Sequence, residues 1–228
     1  MITTIIFDLD DTLYDEIDYC RSGFVAAAEF LAGQVDAPSA ERFFAALWRQ
    51  FTSGNRSRTF NAALDELGVG YDQRRIGKLI DVYRNHVPKI ELPPDSRDVL
   101  TELSTKYTLA LLTDGFLPAQ QLKVQALGIE RYFAGIVYTE QLGRDCWKPS
   151  AAGFEKILQS LGVRPDGAVY VADNENKDFI APNSLGFVTV QLIRRSRIHT
   201  SVCPGEPGGA ARHVIHQISQ LPALLDGL

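Results

Sequence analysis

Residues 5–16 read IIFDLDDTLYDE. An apolar run of strand type stops in three carboxylates, Asp8, Asp10 and Asp11, and no Lys or Arg precedes Arg21. Strand geometry puts the side chains of Asp8 and Asp10 on one side, two residues apart. Carboxylates that close repel, so one holds a proton unless a cation sits between them. The run itself is continuous, not alternating, which marks a strand covered on both faces, as in a parallel sheet.

Runs of the same kind recur. They cover 3–9, 108–113, 135–139, 168–172 and 187–193, with a weaker one at 213–215. Helix-like segments at 94–106, 117–127 and 150–161 separate them. The expected fold class is α/β, a doubly wound parallel-sheet (Rossmann-like) core with right-handed crossovers.

One interval breaks the rhythm. Segments 17–35, 39–52, 58–67 and 73–86 all read as helix, with Phe24, Ala27, Ala28 and Leu31, then Phe43, Phe44, Leu47 and Trp48, at helical spacing. Asp36-Ala-Pro-Ser and Leu67-Gly-Val-Gly break the run. The expected organisation is a core formed by 1–14 and 92–228, with an inserted all-helical domain at 15–91. Linkers fall at 14–16 and 89–94. Pro204-Gly-Glu-Pro-Gly-Gly reads as a loop before the last strand.

In an open parallel sheet, ligands gather outside the carboxyl ends of the strands. Asp8-Leu-Asp10 closes the first run here, Leu111-Leu-Thr113-Asp114-Gly115 the second and Val171-Ala-Asp173 the fourth. Asp178 follows five residues on, and Lys148-Pro149 precedes the helix at 150–161. Singly, an Asp at a strand end is an ordinary turn former or helix N-cap, Thr113 a strand-end hydroxyl and Lys148 a surface lysine. Jointly, they bring acids, a hydroxyl and an ammonium group to one edge. A hard divalent cation makes so many carboxylates tolerable. Mg²⁺ takes one or two of them, together with waters and a substrate phosphate.

The order of these motifs resembles the haloacid dehalogenase (HAD) superfamily, specifically its Mg²⁺-dependent phosphatases. D-x-D-x-T is Asp8-Leu-Asp10-Asp11-Thr12, and the apolar strand ending in Thr is Leu111-Leu-Thr113. Lys148-Pro149 is the Lys-Pro motif, and Ala172-Asp173-Asn-Glu-Asn-Lys-Asp178 stands for G-D-x-x-x-x-D. The helical insert is similar to the cap of the branch whose cap follows the first strand.

The resemblance implies specific roles. Asp8 attacks phosphorus and becomes an aspartyl phosphate. Asp10 protonates the leaving alkoxide and later deprotonates water, and its backbone carbonyl binds Mg²⁺. Thr113, with Asp114 and Gly115 of the following turn, holds the phosphoryl oxygens. Lys148 neutralises charge on Asp8 and on the phosphate. Asp8, Asp10 and Asp173 form the metal site, and Asp178 orients Lys148 or a metal-bound water. The dehalogenases of the superfamily carry Tyr where this chain has Asp10, so carbon–halogen cleavage is not expected. Ala172 replaces the usual Gly, Lys177 adds a charge beside Asp178, and Trp147 reads as a subgroup mark or as an aromatic on the site wall.

Composition sets the remaining bounds. The chain has 228 residues, 45% hydrophobic and 22% charged, with a formal net charge of −5. That balance gives no reason to expect nucleic acid as a partner. The apolar runs are too short to span a membrane, and the N-terminus does not read as a signal peptide. Cys20, Cys146 and Cys203 form no C-x-x-C pair, so reduced cytoplasmic thiols are expected. Arg56 and Arg58, and the basic run Arg194, Arg195, Arg197 and His199, read mainly as solvated faces, with contact to an anionic substrate group, or for the basic run a substrate or a partner, as the alternative. The expected activity is hydrolysis of a small phosphorylated metabolite. A phosphomutase of the same superfamily is the close alternative. A phospho-Asp signalling domain is the more distant one, because such receiver domains are shorter, lack the insert and carry the phosphorylated Asp on a later strand. Oligomeric state is not legible.

Overall fold

The computed structural model describes residues 1–34, 37–198 and 208–228. Val35, Asp36, His199, Cys203 and the 204–207 part of the glycine-proline loop, all read above, lie outside the described residues. In chain order the elements are β1 (Thr4–Phe7), α1 (Glu16–Ala32), α2 (Ala40–Thr52), α3 (Thr59–Glu66) and α4 (Gln73–Asn85), then α5 (Pro94–Leu103), β2 (Thr108–Thr113), α6 (Ala119–Leu127), β3 (Gly135–Tyr138) and α7 (Ala152–Leu161). They close with β4 (Ala168–Ala172), α8 (Ile180–Leu185), β5 (Val188–Leu192), β6 (His213–Ile215) and α9 (Leu221–Leu225). The chain divides into two compact units, Met1–Ile17 with Glu91–Leu228, and Asp18–Ile90.

The first unit is built on a six-stranded parallel sheet in the order β3-β2-β1-β4-β5-β6. β1 therefore lies inside the sheet, and all four of its residues are buried. That burial is why its sequence shows no polar alternation. The strand order reverses beside β1, which creates the crevice where such folds bind ligands. Phe7 stands level with Leu111 of β2 and Val171 of β4. The residues that follow these strands consequently leave the sheet at the same edge. On one face, Ile6, Leu112 and Tyr170 pack with Phe154 of α7, Phe179 and Phe187 in a buried cluster. Burying each such side chain contributes about 1.5–3 kcal/mol. Gly153 lets α7 approach β2, because a Cβ there would lie 2.6 Å from Leu112 Cδ1.

The described residues of the second unit form four helices. Ser39 caps α2 through its hydroxyl, and the Asp72 carboxylate caps α4 by accepting from Arg75 N at 2.7 Å. Phe24 anchors the interior, with ring centroids 5.4 Å from Phe51 and 5.3 Å from Tyr83. Gly23 is small for a reason, since a Cβ there would lie 2.5 Å from Tyr83 Cδ2. Arg56 lies over the Phe51 ring at 5.5 Å, and Arg58 sits at the start of α3. No helix among the described residues is long and apolar enough to cross a membrane.

Candidate active site

Asp8 is the first residue beyond β1, and its N–H still donates to Val171 O of β4 at 2.9 Å. That bond fixes its backbone against the neighbouring strand. Its carboxylate is buried and accepts from Lys148 Nζ at 2.7 Å. The same ammonium lies 2.7 Å from Asp178 Oδ1 and donates to Tyr170 Oη at 3.0 Å. Asp178 is anchored in turn by Asn174 N, which donates to its Oδ2 at 2.9 Å. Burial pushes the Asp8 carboxyl up to about 7; Lys148 opposes the rise and Asp178 adds to it. Burial would lower the Lys148 pKa, but Asp178 and Asp8 outweigh it and hold the ammonium well above its usual range. Lys148 is therefore a permanent cation wedged between two acids.

Asp173 follows β4 directly and is also buried. Burial first, then Asp178 and Asp8, raise its carboxyl to about 9. Its Oδ2 is buried and finds no hydrogen-bond partner among the described residues. Asp8, Asp173 and Asp178 each present a carboxylate oxygen, and the three lie within 4.8 Å of one another. Lys148 meets Asp8 and Asp178, and one Asp173 oxygen is left bare. This donor set fits a hard divalent cation, which prefers carboxylate oxygens. Asp10 was expected to reach a metal through its backbone carbonyl, and its carboxyl is not part of this cluster.

The Asp10 carboxyl is engaged elsewhere. Lys123 Nζ donates to its Oδ1 at 2.8 Å and Oδ2 at 2.9 Å. Tyr14 Oη donates to Oδ1 at 2.5 Å, and Gln120 Nε2 to Oδ2 at 2.9 Å. Burial favours the protonated form, yet Lys123, with the Tyr14 and Gln120 bonds, holds the carboxyl below the usual range. The lowered pKa favours the carboxylate, the form that accepts a proton.

Thr113 ends β2, is buried, and its hydroxyl accepts from Gln120 Nε2 at 2.6 Å. Gly115 follows at φ 140°, a backbone state suited to glycine. The Asp114 side chain is committed to the scaffold. It accepts from Thr139 Oγ1 at 2.8 Å, Lys148 N at 3.2 Å and Lys177 Nζ at 3.1 Å. Burial works against its charge, but Lys148 and Lys177 keep it ionised below the usual range. Any contact of Asp114 with a ligand therefore falls to its backbone N–H. Lys177 joins Asp8, Asp10, Asp11, Glu16, Asp173 and Asn174 in lining a cavity of about 90 Å³.

Several side chains brace this edge. Asp11 holds φ 54° and accepts from Glu16 N at 3.0 Å and Ile198 N at 2.6 Å. Arg194 is no open basic face: Nε donates to Thr12 O at 3.0 Å and Nη2 to Ser96 Oγ at 2.7 Å. The Trp147 indole donates to Glu140 at 2.9 Å and packs edge-on to Phe116 at 5.4 Å. Tyr14, Gln120 and Lys123 escaped the sequence reading. The available signal was Gln120 and Lys123 three residues apart on α6, on the same stretch as the buried Ala119, Val124 and Leu127.

The sequence profile of the haloacid dehalogenase-like hydrolases matches residues 2–186. The chain belongs to this family. It is 29% identical over 201 residues to a glyceraldehyde 3-phosphate phosphatase of Methanopyrus kandleri, covering 85% of each chain. Among solved structures of HAD enzymes, a 2-haloacid dehalogenase from Pseudomonas syringae aligns at TM-score 0.66 and 26% identity, over 100% of this chain and 99% of the other. A Bacillus subtilis HAD hydrolase bound to magnesium aligns at TM-score 0.68 and 20% identity, over 99% of both chains, a likeness of fold.

Proposed function

We propose that the protein is a Mg²⁺-dependent phosphomonoester hydrolase that acts on a small phosphorylated metabolite through an aspartyl phosphate. One observation carries the reading: Asp8, held by Lys148, presents an oxygen within 4.8 Å of one on Asp173, whose Oδ2 is bare, and the Asp10 carboxylate, close by in sequence, sits in a network of its own. Asp8 attacks phosphorus, the bond from phosphorus to the ester oxygen breaks, and Asp10, protonated for this step, gives its proton to the leaving alkoxide. Lys148 offsets the negative charge that gathers on the transferred group. Thr113 Oγ1 and the N–H groups of Asp114 and Gly115 bind its oxygens. Asp10 then takes a proton from the water that cleaves the aspartyl phosphate. Asp8 and Asp173 would hold Mg²⁺, with the Asp10 carbonyl, and Asp178 would orient Lys148. Bound there, the cation supplies charge neutralisation and a template for the phosphoryl group.

The relatives named for phosphatase activity support the substrate class, and the Methanopyrus relative acts on a triose phosphate. The likeness to a dehalogenase carries less weight, because carbon–halogen cleavage releases no alkoxide for Asp10 to protonate. The inserted helical unit, Asp18–Ile90, is read as the cap that supplies specificity. Cys20 and Cys146 carry reduced thiols, and Cys20 Sγ accepts from Tyr83 Oη at 3.3 Å, in keeping with a cytoplasmic enzyme.

The test is phosphate release from p-nitrophenyl phosphate and a panel of sugar, triose and amino-acid phosphates, with Mg²⁺ and with chelator. Turnover with Mg²⁺ that vanishes on chelation and in Asp8→Asn is the expected outcome. A wild type that hydrolyses none of these esters would overturn the reading. Transfer of the phosphoryl group back to a sugar phosphate, without net release, would make it a mutase.

A further inference from the structure

We infer that Gln120 and Lys123 of α6 are positioning residues that hold the Asp10 carboxylate for the water step of the reaction, an inference that rests on the phosphatase reading. Both side chains are buried, at 2% and 3% exposure. Two polar residues sunk three apart in a core-facing helix are costly to keep, since apolar residues of similar volume would pack there as well or better. Their bonds show what they hold. The single Gln120 amide nitrogen donates both to Asp10 Oδ2 at 2.9 Å and to Thr113 Oγ1 at 2.6 Å. It thereby ties the base to the hydroxyl proposed to hold the phosphoryl group. Lys123 straddles the carboxylate from the same helix, at 2.8 and 2.9 Å from its two oxygens. Gly115 makes the room: a Cβ at that position would lie 2.7 Å from Gln120 Cδ.

Tyr14 and Lys123 meet Oδ1, and Gln120 and Lys123 meet Oδ2, so both oxygens of the carboxylate are held in place. In the water step, a water oxygen bonds to phosphorus and the phosphorus–oxygen bond to Asp8 breaks. Asp8 leaves as a carboxylate, and the water proton passes to the Asp10 carboxylate. Fixing the carboxylate fixes where the proton is collected. The two residues never touch the phosphoryl group in this scheme; they act through Asp10.

p-Nitrophenyl phosphate separates the steps, because p-nitrophenolate leaves without needing a proton. In Lys123→Met and Gln120→Leu, pre-steady-state mixing should show a burst of p-nitrophenolate and phosphoenzyme that can be trapped with acid. kcat should fall roughly tenfold or more, within the ~10²–10⁴ that acid–base catalysis contributes. KM should fall with it, so that kcat/KM for this ester is kept. If Lys123→Met does not fold, as judged by its melting curve, Gln120→Leu alone provides the reading. Equal losses in kcat and kcat/KM with no burst, or no loss in either, would overturn the inference while the wild type remains a phosphatase. A wild type without phosphatase activity would overturn both.

Discussion

Asp173 carries a carboxyl raised to about 9 from an ordinary 3.8. Asp8, at about 7, and Glu16, at about 8, shift in the same direction. A raised acid pKa means that the folded chain keeps a proton the unfolded chain has lost. The resulting stabilisation is complete below the unfolded value and disappears as pH rises through the folded one. Metal-free protein should therefore melt at progressively lower temperature between about pH 6 and 9.5. Added Mg²⁺ should raise the melting temperature more at pH 9 than at pH 6, since the cation takes the place of the protons. Differential scanning fluorimetry across this range is the check, and a metal-free curve that is flat or rises with pH would contradict the assignment. Residues of this kind were the legible ones. Asp8, Lys148, Asp173 and Asp178 sit in motifs of fixed order, and the structure brings their charged groups together. Gln120 and Lys123 have no such signature: a polar pair on a helix reads as solvated until its burial is known. Arg194 misled in the opposite sense, because its partners, Thr12 and Ser96, are 182 and 98 residues away in sequence.

At the scale of elements, the strands were readable because burial on both faces leaves long apolar runs. Their ends were not, because hydrogen bonds and caps set them. The run at 3–9 yields a strand of four residues, Thr4–Phe7, since the backbone turns into the Asp8–Thr12 loop. The segment at 117–127 becomes Ala119–Leu127, as Pro118 stands before the helix and Gly128, at φ 63°, closes it. The segment at 150–161 starts at Ala152, where Ser150 Oγ accepts from Ala152 N at 3.3 Å. Two helix glycines separate packing from propensity. Gly77 in α4 has nothing within 4 Å of where its Cβ would be, whereas at Gly153 a Cβ meets Leu112 at 2.6 Å. Gly77→Ala should stabilise by about 0.5–1 kcal/mol through helix propensity alone. Gly153→Val should cost about 1–3 kcal/mol, because α7 must lift off β2. Urea titration of the two variants distinguishes them, and a neutral Gly153→Val would show that the α7–β2 contact is looser than described.

At the scale of the molecule, the chain leaves the sheet after β1 and returns near residue 91, and Arg194 grips both legs of that excursion. It holds Thr12 and, at 3.6 Å, Asp15 on the way out, and Ser96 on the way back. Arg194→Ala should cost about 1.5–3 kcal/mol, the range for hydrogen bonds to a charged group, and lower the melting temperature. If the melting temperature did not change, the brace would be only apparent. The insertion also constrains how the molecule is made. Ile5 pairs with Leu109 on one side and Val169 on the other, so the strand that leads into Asp8 has no neighbour within a hundred residues of chain. Such distant pairing forms slowly, and domains emerge from the ribosome in order from the N-terminus. The helices of Asp18–Ile90 are complete in the nascent chain long before β1 can be enclosed. Asp8 then waits, unpaired with Lys148 and far from Asp173, until more than three-quarters of the polypeptide has been synthesised. The proposed nucleophile is the first of the proposed catalytic groups to be translated and among the last to find its surroundings, so a truncated product of this gene is a chain without the candidate site.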